Sequence, residues 1–519
     1  FGSNKFLLIV TKVNFMISGF ATPSGTSAFT NKHPQSGFIA HHASGLSFSP
    51  VGFGTYRTII SNIVHRHSLK KAILQGVNVI DTSSNYGGGA SEEMVGAVID
   101  ELITQGNLTR DQIIVVTKGG YLQGQNFAVS QTRKAEGRPF PDLVEYGQQL
   151  EHCIHPEFLE DQIDRSLARL EMETVDLYLL HNPEYFLGWA KKADYDLHDA
   201  RKEYYRRIRL AFEYLESEVE RGRIQRYGIS SNSFPNHPDD FGFTSLETVL
   251  EIARGIGAKN HFNGIQFPMN LLETEAATQI NQNHMQTLLD LAHENQLITL
   301  VNRPLNAVVG NNLIRLAKLP EVAGSADKDE AEAWIDKLII EEARLQRAVF
   351  SIDIPFRTKQ EFAATTGAGR LLQQRWEGFG TYSNWRDVRQ GYLEPRSRFA
   401  EQFLNNRAEL PEEAADWVAS YKEVLHNTLD TIAAVYRAQE ARMLMTIKEN
   451  VETADSDWRG CKTLSQSAVR ALASTEGITS VLVGMRQDKY VDDILSSLNA
   501  PIQQKPRGAS WQHLSEQMR

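Results

Sequence analysis

The chain has 519 residues, of which 41% are hydrophobic and 23% charged, a composition typical of a globular protein rather than a disordered or fibrous one. Its two cysteines, Cys153 and Cys461, exclude the disulfide-dense framework of a small secreted domain. The formal net charge of −10 disfavours non-specific nucleic-acid binding, and the apolar run at residues 6–10 is far shorter than a membrane span.

The N-terminal part differs in composition from the rest of the chain. The first acidic residue is Asp81, and residues 1–44 are rich in Ser and lack Arg, Asp and Glu. This pattern predicts an N-terminal arm, with an organellar targeting segment as the alternative. We expect a cytoplasmic protein in the first case and an organellar one in the second.

Eight short, apolar, β-branched segments recur along the chain, with stretches of helical periodicity between them. They are residues 50–56, 77–81, 113–118, 175–181, 227–230, 262–266, 298–301 and 480–484. This alternation is typical of the α/β class and predicts a (β/α)8 TIM barrel over residues 45–305 and 455–500. An open, doubly wound parallel sheet gives similar periodicity and is the alternative.

The seventh and eighth strands are separated by about 175 residues, so we expect a large insertion at residues 306–454. Apolar residues recur at steps of three and four from Trp417 to Tyr436, which predicts a mostly helical insertion. This insertion is either a helical subdomain packed on the barrel or a lid or subunit interface. Residues 501–519 are expected to form a C-terminal tail.

Polar residues end three consecutive strands of the predicted barrel. Asp81 ends the second strand, Lys118 the third and His181 the fourth, and Tyr86 follows Asp81 by five positions. The carboxyl ends of barrel strands face the active site, so these side chains are candidate catalytic residues. Tyr86 could donate a proton if the ammonium of Lys118 lowers its pKa and Asp81 holds Lys118 charged, while His181 orients a carbonyl or assists proton transfer.

These residues resemble the catalytic tetrad of the aldo-keto reductase superfamily. The resemblance is carried by Asp81-x4-Tyr86, by the strand end at Lys118, by residues 176–181 ending in His181, and by the glycine-rich segment 86–96. It implies a (β/α)8 barrel that binds NADPH, or less often NADH, without a Rossmann domain. Consistently, the sequence has no G-x-G-x-x-G fingerprint. The family mechanism implies hydride transfer to a carbonyl carbon while Tyr86 protonates the oxygen.

The resemblance also implies residues for the cofactor. Ser230, together with Ser231 or Asn232, and Gln266 correspond to side chains that hold the nicotinamide carboxamide. Asn302 and Arg303 follow the seventh strand, where many members have an aromatic ring that stacks on the nicotinamide. Gly484 and Arg486 fall in the loop that cradles the nucleotide phosphates, and Arg486 is the best candidate for a phosphate contact.

Two hypotheses about function follow from this sequence. The first is an NAD(P)H-dependent oxidoreductase that reduces an aldehyde, ketone or sugar carbonyl, or oxidises the corresponding alcohol. The second is a cofactor-binding regulatory protein with vestigial catalysis that acts through its insertion. In both, the ligands are small molecules rather than nucleic acids or membranes, and the oligomeric state is open. No metal site is expected, because His152-Cys153-x-His155 matches no zinc spacing.

Overall fold

The computed structural model describes residues 16–40, 43–310, 312–317, 326–405, 413–498 and 502–518. The chain divides into two compact units. We call the first, Phe1–Leu305 with Ala454–Arg519, the barrel unit, and the second, Asn306–Thr453, the helical unit. Within the described ranges, no helix is both long enough and apolar enough to cross a membrane.

Eight parallel strands of the barrel unit form a closed barrel. They are β1 (Val51–Gly54), β2 (Val79–Asp81), β3 (Ile114–Gly119), β4 (Leu177–His181), β5 (Tyr227–Ser230), β6 (Phe262–Pro268), β7 (Ile298–Asn302) and β8 (Ser480–Val483). Each strand pairs with the next one along the chain, and β8 pairs with β1. The predicted (β/α)8 barrel is therefore confirmed, and the alternative of an open sheet is wrong.

The helices lie between the strands and in the helical unit. In chain order they are α1 (Pro23–Lys32), α2 (Ile63–Leu74), α3 (Ala90–Thr104), α4 (Gln125–Ala135), α5 (Pro156–Leu170), α6 (Tyr185–Lys192), α7 (Leu197–Glu220), α8 (Leu246–Ile256), α9 (Glu275–Thr278), α10 (Leu288–Glu294), α11 (Lys328–Ser351), α12 (Phe356–Thr366), α13 (Gly369–Arg375), α14 (Tyr382–Val388), α15 (Glu394–Asn405), α16 (Ala414–Ala454), α17 (Leu464–Ala473), α18 (Asp488–Ser496) and α19 (Gly508–Met518).

Both units also contain short antiparallel strands. They are the pairs Ile39–Ala40 with Ser47–Phe48, Ile280–Gln282 with Gln286–Thr287 and Asn306–Val309 with Asn312–Arg315, and a three-stranded sheet of Tyr121–Leu122, Leu150–His152 and Val144–Gly147. The three-stranded sheet lies between β3 and α5 in the chain, so it follows the carboxyl end of a barrel strand. It therefore belongs to the end of the barrel where active sites are built.

The barrel interior is filled by alternate residues of the strands. Its buried cluster includes Val79 of β2, Ile114 and Val116 of β3, Leu177 and Leu179 of β4, Ile298 and Leu300 of β7, and Leu482 of β8. Side chains two positions apart in a strand lie on the same face. Two positions beyond the last cluster residue of each of these strands are Asp81, Lys118, His181, Asn302 and Gly484. The period-two pattern thus places five of the predicted site residues on the inner face, at the carboxyl end.

The N-terminal segment packs against the barrel unit rather than lying loose. The N–H of Ala21 donates to Oδ1 of Asp176 over 2.6 Å, and Phe29 of α1 is buried. Ala21, Leu46 and Phe48 join the interior cluster, and Asp176 directly precedes β4. These residues therefore cover the amino-terminal end of the barrel. Residues 1–15 of the predicted arm lie outside the described residues.

The segment predicted as a C-terminal tail contains helix α19. Trp511 of this helix is buried, its ring centroid lies 4.9 Å from that of Trp458, and its indole N–H donates to Oγ1 of Thr475 over 2.9 Å. Because an indole is large and mostly apolar, its burial anchors α19 to the barrel unit.

The helical unit has a core of its own. Its buried side chains include Leu338, Trp376, Trp385, Tyr421, Leu425, Leu429, Ile432 and Tyr436, with Trp417 partly buried beside them. The stripe predicted from Trp417 to Tyr436 lies on α16 and packs on other helices of the same unit. The expectation that residues after the seventh strand are mostly helical is therefore confirmed, with an intramolecular partner for the stripe.

Candidate active site

A turn after β2 brings Tyr86 close to Lys118. The N–H of Thr82 donates to the carbonyl of Val116, and the N–H of Ser84 donates to the carbonyl of Lys118, so the chain keeps following β3 beyond the end of β2. Gly87 and Gly88 then adopt φ values of +59° and +67°, which favour glycine, and lead into α3.

Lys118 is fully buried, with its ammonium at the centre of the site. Nζ lies 2.7 Å from Oδ1 and 2.8 Å from Oδ2 of Asp81, and it also donates to the carbonyl of Thr82 over 2.8 Å. The phenolic oxygen of Tyr86 is 3.5 Å from Nζ. Asp81, Lys118 and Tyr86 are thus brought together as the spacing of the sequence predicts.

The pKa of Tyr86 differs from the sequence-based expectation. Burial first, and then the charge of Asp81 and the neighbouring Tyr56, raise the pKa of Tyr86 well above its ordinary value. Burial also lowers the pKa of Lys118, although Asp81 and Glu92 oppose this effect. The pKa of Tyr86 is thus raised rather than lowered, because burial disfavours the charged phenolate.

His181 lies beside these residues in a neutral state. Its ring centroid is 6.0 Å from that of Tyr86, edge to face, and its Nδ1 is 3.0 Å from Oγ of Ser83. Burial, followed by the positive charge of Lys118, lowers the pKa of His181 well below its ordinary value. The imidazole is therefore uncharged at neutral pH and can form hydrogen bonds without adding a second positive charge.

Two of the predicted cofactor residues extend the network around Asp81. Gln266 donates from Nε2 to Oδ1 of Asp81 over 2.8 Å, and Ser230 donates to Oε1 of Gln266 over 3.0 Å. Ser230 stands level with His181 of β4 and with Gln266 of β6 in the strand register. The structure therefore brings Ser230 and Gln266 into the same group as Asp81.

Ser231 and Asn232, the two alternatives that follow β5, lie in different environments. Ser231 is buried, and its hydroxyl lies near Ser233 and Thr244, at 3.1 and 3.4 Å. Asn232 is exposed, and its N–H donates to Oε1 of Glu184 over 2.9 Å. Neither side chain reaches the Asp81 network within the described residues.

The remaining predicted cofactor residues lie at the end of β7 or follow the adjacent strands β7 and β8. Within the described part of the chain, the buried Oδ1 of Asn302 has no hydrogen-bond partner. Arg303 has a φ of +53° and donates to Oε1 of Glu273 over 2.6 Å, so it is tied to the loop that follows β6. Gly484 is exposed, and Arg486 lies close enough to His65 to lower the pKa of that histidine, after burial.

Several functional candidates were not predicted from the sequence. Glu92 is fully buried, accepts from Thr117 over 2.5 Å and from Arg169 over 2.6 Å, and supports the charge of Lys118. In the sequence, Glu92 was recognised only as part of the glycine-rich segment 86–96, because its partner Arg169 is far away in sequence. Ser83 lies between Asp81 and Tyr86 of the predicted catalytic tetrad. Its side-chain partner His181 could not be identified from the spacing of residues in the sequence.

Aromatic side chains flank His181. Tyr121 lies edge to face with it at 4.7 Å, and the ring of Tyr185 is 5.1 Å from Tyr121. His152 stacks on Tyr185 at 5.5 Å and contacts the carbonyl oxygen of His181 through Nε2 at 2.7 Å. Burial lowers the pKa of His152 to about 4. The segment around His152 therefore supports the side chains next to His181. No cluster of three metal-ligating side chains occurs among the described residues.

Comparison with curated proteins finds relatives of moderate identity. Aldo-keto reductase YhdN of Bacillus subtilis is 25% identical over 265 residues, covering 50% of this chain and 58% of that protein. The 6-dehydroglucose reductase of Novosphingobium aromaticivorans is 28% identical over 146 residues, covering 27% and 40%. The NADPH-dependent D-xylose reductase of Meyerozyma guilliermondii is 25% identical over 195 residues, covering 36% and 50%. The chain thus spans about half the length of these relatives.

Likeness to solved structures is weaker. Aldo-keto reductase AKR11C1 from Bacillus halodurans, in its holo form, gives a TM-score of 0.44 at 14% identity, with 92% of this chain and 95% of that chain covered. An aldo/keto reductase from Klebsiella pneumoniae in complex with NADP and acetate gives 0.31 at 19% identity, with 52% and 69% covered.

Residues 50–239 match the model of the Aldo/keto reductase family. This segment runs from the start of β1 to the loop that follows β5. It contains the four residues that the structure groups at the carboxyl end of the barrel, namely Asp81, Tyr86, Lys118 and His181. Residues 50–239 are therefore similar to the Aldo/keto reductase family.

Proposed function

We propose that the barrel unit is a nicotinamide-nucleotide-dependent oxidoreductase that reduces the carbonyl group of an aldehyde, ketone or sugar, with alcohol oxidation as the reverse reaction. The observation that carries this proposal is the fully buried ammonium of Lys118, 2.7 Å from Asp81 and 3.5 Å from the phenolic oxygen of Tyr86. A cation held at that distance stabilises negative charge on the phenol as a proton leaves.

Tyr86 is the proton donor in this proposal. Its raised pKa keeps the phenol protonated at neutral pH, ready to donate to a carbonyl oxygen. Lys118 stabilises the phenolate that forms, and Asp81 holds the ammonium in place.

The residues present suit a nicotinamide nucleotide. The buried Oδ1 of Asn302 has no partner within the described residues, so it can accept an N–H of a carboxamide, and Ser230 and Gln266 offer further polar atoms nearby. Arg486 would bind a phosphate. A bound nucleotide would supply the hydride for the carbonyl carbon.

NADPH is the proposed nucleotide, with NADH as the alternative. The Meyerozyma guilliermondii relative is named as an NADPH-dependent reductase, and this name supports NADPH for this chain. Three of the relatives are named for sugar-type compounds, which supports a sugar carbonyl among the candidate substrates.

The first test is a titration of the full chain with NADPH and with NADH, following quenching of Trp fluorescence. We expect saturable binding of at least one nucleotide at micromolar concentration. Absence of binding to folded protein, by either nucleotide in its reduced or oxidised form, would contradict the proposed function.

The second test separates chemistry from binding. Tyr86→Phe removes the proton donor and keeps the ring, so we expect turnover to fall by about 10²–10⁴-fold while the nucleotide Kd stays near its original value. The matched control is Tyr195→Phe, which changes an exposed tyrosine outside the site. Unchanged turnover in Tyr86→Phe would remove Tyr86 from its proposed role.

A further inference from the structure

We infer that Glu273 and Asn270 are positioning residues that hold the backbone of Arg303 in a left-handed conformation. They thereby fix the neighbouring Asn302 for contact with the carboxamide group of a nicotinamide nucleotide. We call Asn270, Glu273 and Arg303 the brace. The contact with the nucleotide rests on the proposed function, whereas the brace itself can be tested without any nucleotide.

Arg303 has a backbone conformation that its sequence disfavours. Its φ of +53° lies in the left-handed region, where residues other than glycine are uncommon. The next residue is Pro304, and a residue before proline favours an extended backbone. Strained conformations of this kind persist only where the surrounding structure fixes them, and they cluster at active sites and ligand clamps. The contacts around Arg303 must therefore supply the restraint.

The end of β4 has the same type of turn with a more suitable residue. Asn182 has a φ of +52° and is followed by Pro183. Asparagine visits the left-handed region more readily than other residues with a Cβ atom, so Asn182 needs less restraint. Arginine has no such tolerance. The end of β7 therefore requires contacts from outside the turn.

Two side chains of the loop after β6 supply these contacts. Glu273 accepts from Nη2 of Arg303 through Oε1 over 2.6 Å, and from Nδ2 of Asn270 through Oε2 over 2.7 Å. The same Nδ2 lies 3.3 Å from the carbonyl oxygen of Arg303. The brace thus restrains both the side chain and the main chain of Arg303.

The neighbours of the Asn270 amide determine its orientation. Its Oδ1 accepts from the N–H groups of Leu272 and Glu273, each over 3.0 Å, and these groups can only donate. Its Nδ2 faces oxygens of Glu273 and Arg303, which can only accept. Asn270 is fully buried, so water could not compensate for a reversed amide. The amide therefore has one orientation, with Nδ2 toward the carboxylate.

The brace acts on Asn302, the residue before Arg303. Asn302 ends β7, two positions after Leu300 of the interior cluster, and its carbonyl accepts from the N–H of Met269 over 3.4 Å. A buried polar atom of its side chain has no partner within the described residues. Its amide and the nucleotide carboxamide each have a donor and an acceptor, so they can pair whichever way Asn302 is turned.

The strain is tested without nucleotide by Arg303→Gly and Arg303→Ala. Both remove the ion pair with Glu273, but only glycine adopts a left-handed conformation without a steric penalty. We expect a higher urea midpoint for Arg303→Gly than for Arg303→Ala. At Arg357 in α12, the matched control, alanine should give the higher midpoint. Equal midpoints at residue 303, or the order seen at residue 357, would overturn the inference.

The effect on the nucleotide site is tested by Glu273→Ala. This change removes both contacts of the carboxylate, so we expect the Kd of NADPH to rise by about 10-fold. Turnover at saturating nucleotide should stay near its original value, because the residues around Tyr86 are unaltered. The matched control is Glu213→Ala, at an exposed position of α7. An unchanged Kd in folded Glu273→Ala would overturn the positioning role.

A rescue experiment separates the backbone conformation from a general loss of structure. Glycine at position 303 does not need the brace, so Glu273→Ala combined with Arg303→Gly should bind NADPH more tightly than Glu273→Ala alone. Failure of this rescue would overturn the link between the brace and the backbone of residue 303.

A double-mutant cycle tests whether the brace acts through Asn302. Asn302→Ala should itself weaken NADPH binding, and Glu273→Ala should have little further effect in that background. Additive losses would overturn the role of Asn302. If the unmodified chain binds neither NADPH nor NADH, the proposed function fails, and the urea midpoints at residue 303 still decide whether the brace holds a strained turn.

Discussion

Two buried ion pairs lie at opposite ends of the same barrel, and they are built differently. At the amino-terminal end, Asp176 accepts from Arg110 over 2.8 Å and from the N–H groups of Ala21 and Val115. Arg110 also donates to the carbonyls of Ile113 and Thr174. This pair is surrounded by main-chain groups that hold the N-terminal segment and two strands together.

At the carboxyl end, the Asp81–Lys118 pair contacts the main-chain carbonyl of Thr82 and is otherwise surrounded by side chains. Its neighbours are Tyr86, Gln266 and, beyond them, His181, all of which can exchange protons or hydrogen bonds with a ligand. The comparison teaches that burial and charge alone do not mark a catalytic site. A pair enclosed by main-chain groups stabilises the fold, whereas a pair beside side-chain donors and acceptors can serve chemistry.

The largest expected effect comes from Lys118→Met. Removing the ammonium leaves the phenolate of Tyr86 without its stabilising charge, so we expect kcat to fall by about 10²–10⁴-fold. The measurement is the rate of NADPH oxidation with a carbonyl substrate, beside a denaturation curve. Retention of more than a tenth of the rate would place the chemistry elsewhere.

The corresponding change at the other end is Arg110→Met. It leaves the carboxylate of Asp176 buried without its cation, so we expect the free energy of unfolding to fall by about 3–5 kcal/mol. The nucleotide Kd and the turnover per folded molecule should stay unchanged. Urea denaturation measures the first quantity, and Arg357→Met, at a side chain that is 91% exposed, is the control. A large fall in kcat with little loss of stability would reverse the proposed distinction.

A smaller effect is expected from Gln266→Leu. The change removes the donor to Asp81 and the acceptor of Ser230 without altering either charge. We expect the nucleotide to bind roughly 10-fold more weakly, since one or two hydrogen bonds are lost. Fluorescence titration measures this Kd, with the exposed Gln512→Leu as control. An unchanged Kd would exclude Gln266 from the cofactor site.

The smallest effect is expected from Glu184→Gln, a change at the carboxyl end of the barrel. Burial raises the pKa of Glu184 to about 7, from an ordinary value near 4.5. The folded state therefore holds this proton more tightly than the unfolded state, and the resulting stability is full below pH 4.5 and is lost as the pH rises through 7. The stability of Glu184→Gln relative to the unmodified chain should thus be higher at pH 8 than at pH 5, because the unmodified chain loses this stability between the two pH values.

Denaturation curves at the two pH values measure this difference for Glu184→Gln. Because Oε1 of Glu184 accepts from the N–H of Asn232, the variant also tests whether the amide keeps this contact. The same difference at pH 5 and pH 8 would show that Glu184 does not titrate in this range.

Much of the fold follows from local sequence pattern. The alternation of apolar strand segments with helical stretches predicts the barrel, and the positions of Asp81, Lys118 and His181 at strand ends predict that they lie at its carboxyl end. The position of Tyr86, five residues after Asp81, is likewise readable, because the turn after β2 is short.

Other features could not be read from local pattern because they depend on contacts between distant residues. Ser83 and His181 are 98 positions apart, and Glu92 and Arg169 are 77 apart. The apolar stripe on α16 was clear, but its partners within the helical unit were not. The choice between Ser231 and Asn232 also required the structure, which buries one and exposes the other.

The sequence by itself determined the succession of strands and helices and the residues at the carboxyl ends of the strands, because backbone periodicity and turn length are local properties. Only the tertiary structure decided that the sheet closes into a barrel and how those residues are protonated. Desolvation depends on everything packed around a group, and here it raises the pKa of Tyr86 and lowers that of His181. Which hydroxyl contacts which imidazole is likewise decided when the barrel closes and brings β2 and β4 to opposite sides of Lys118.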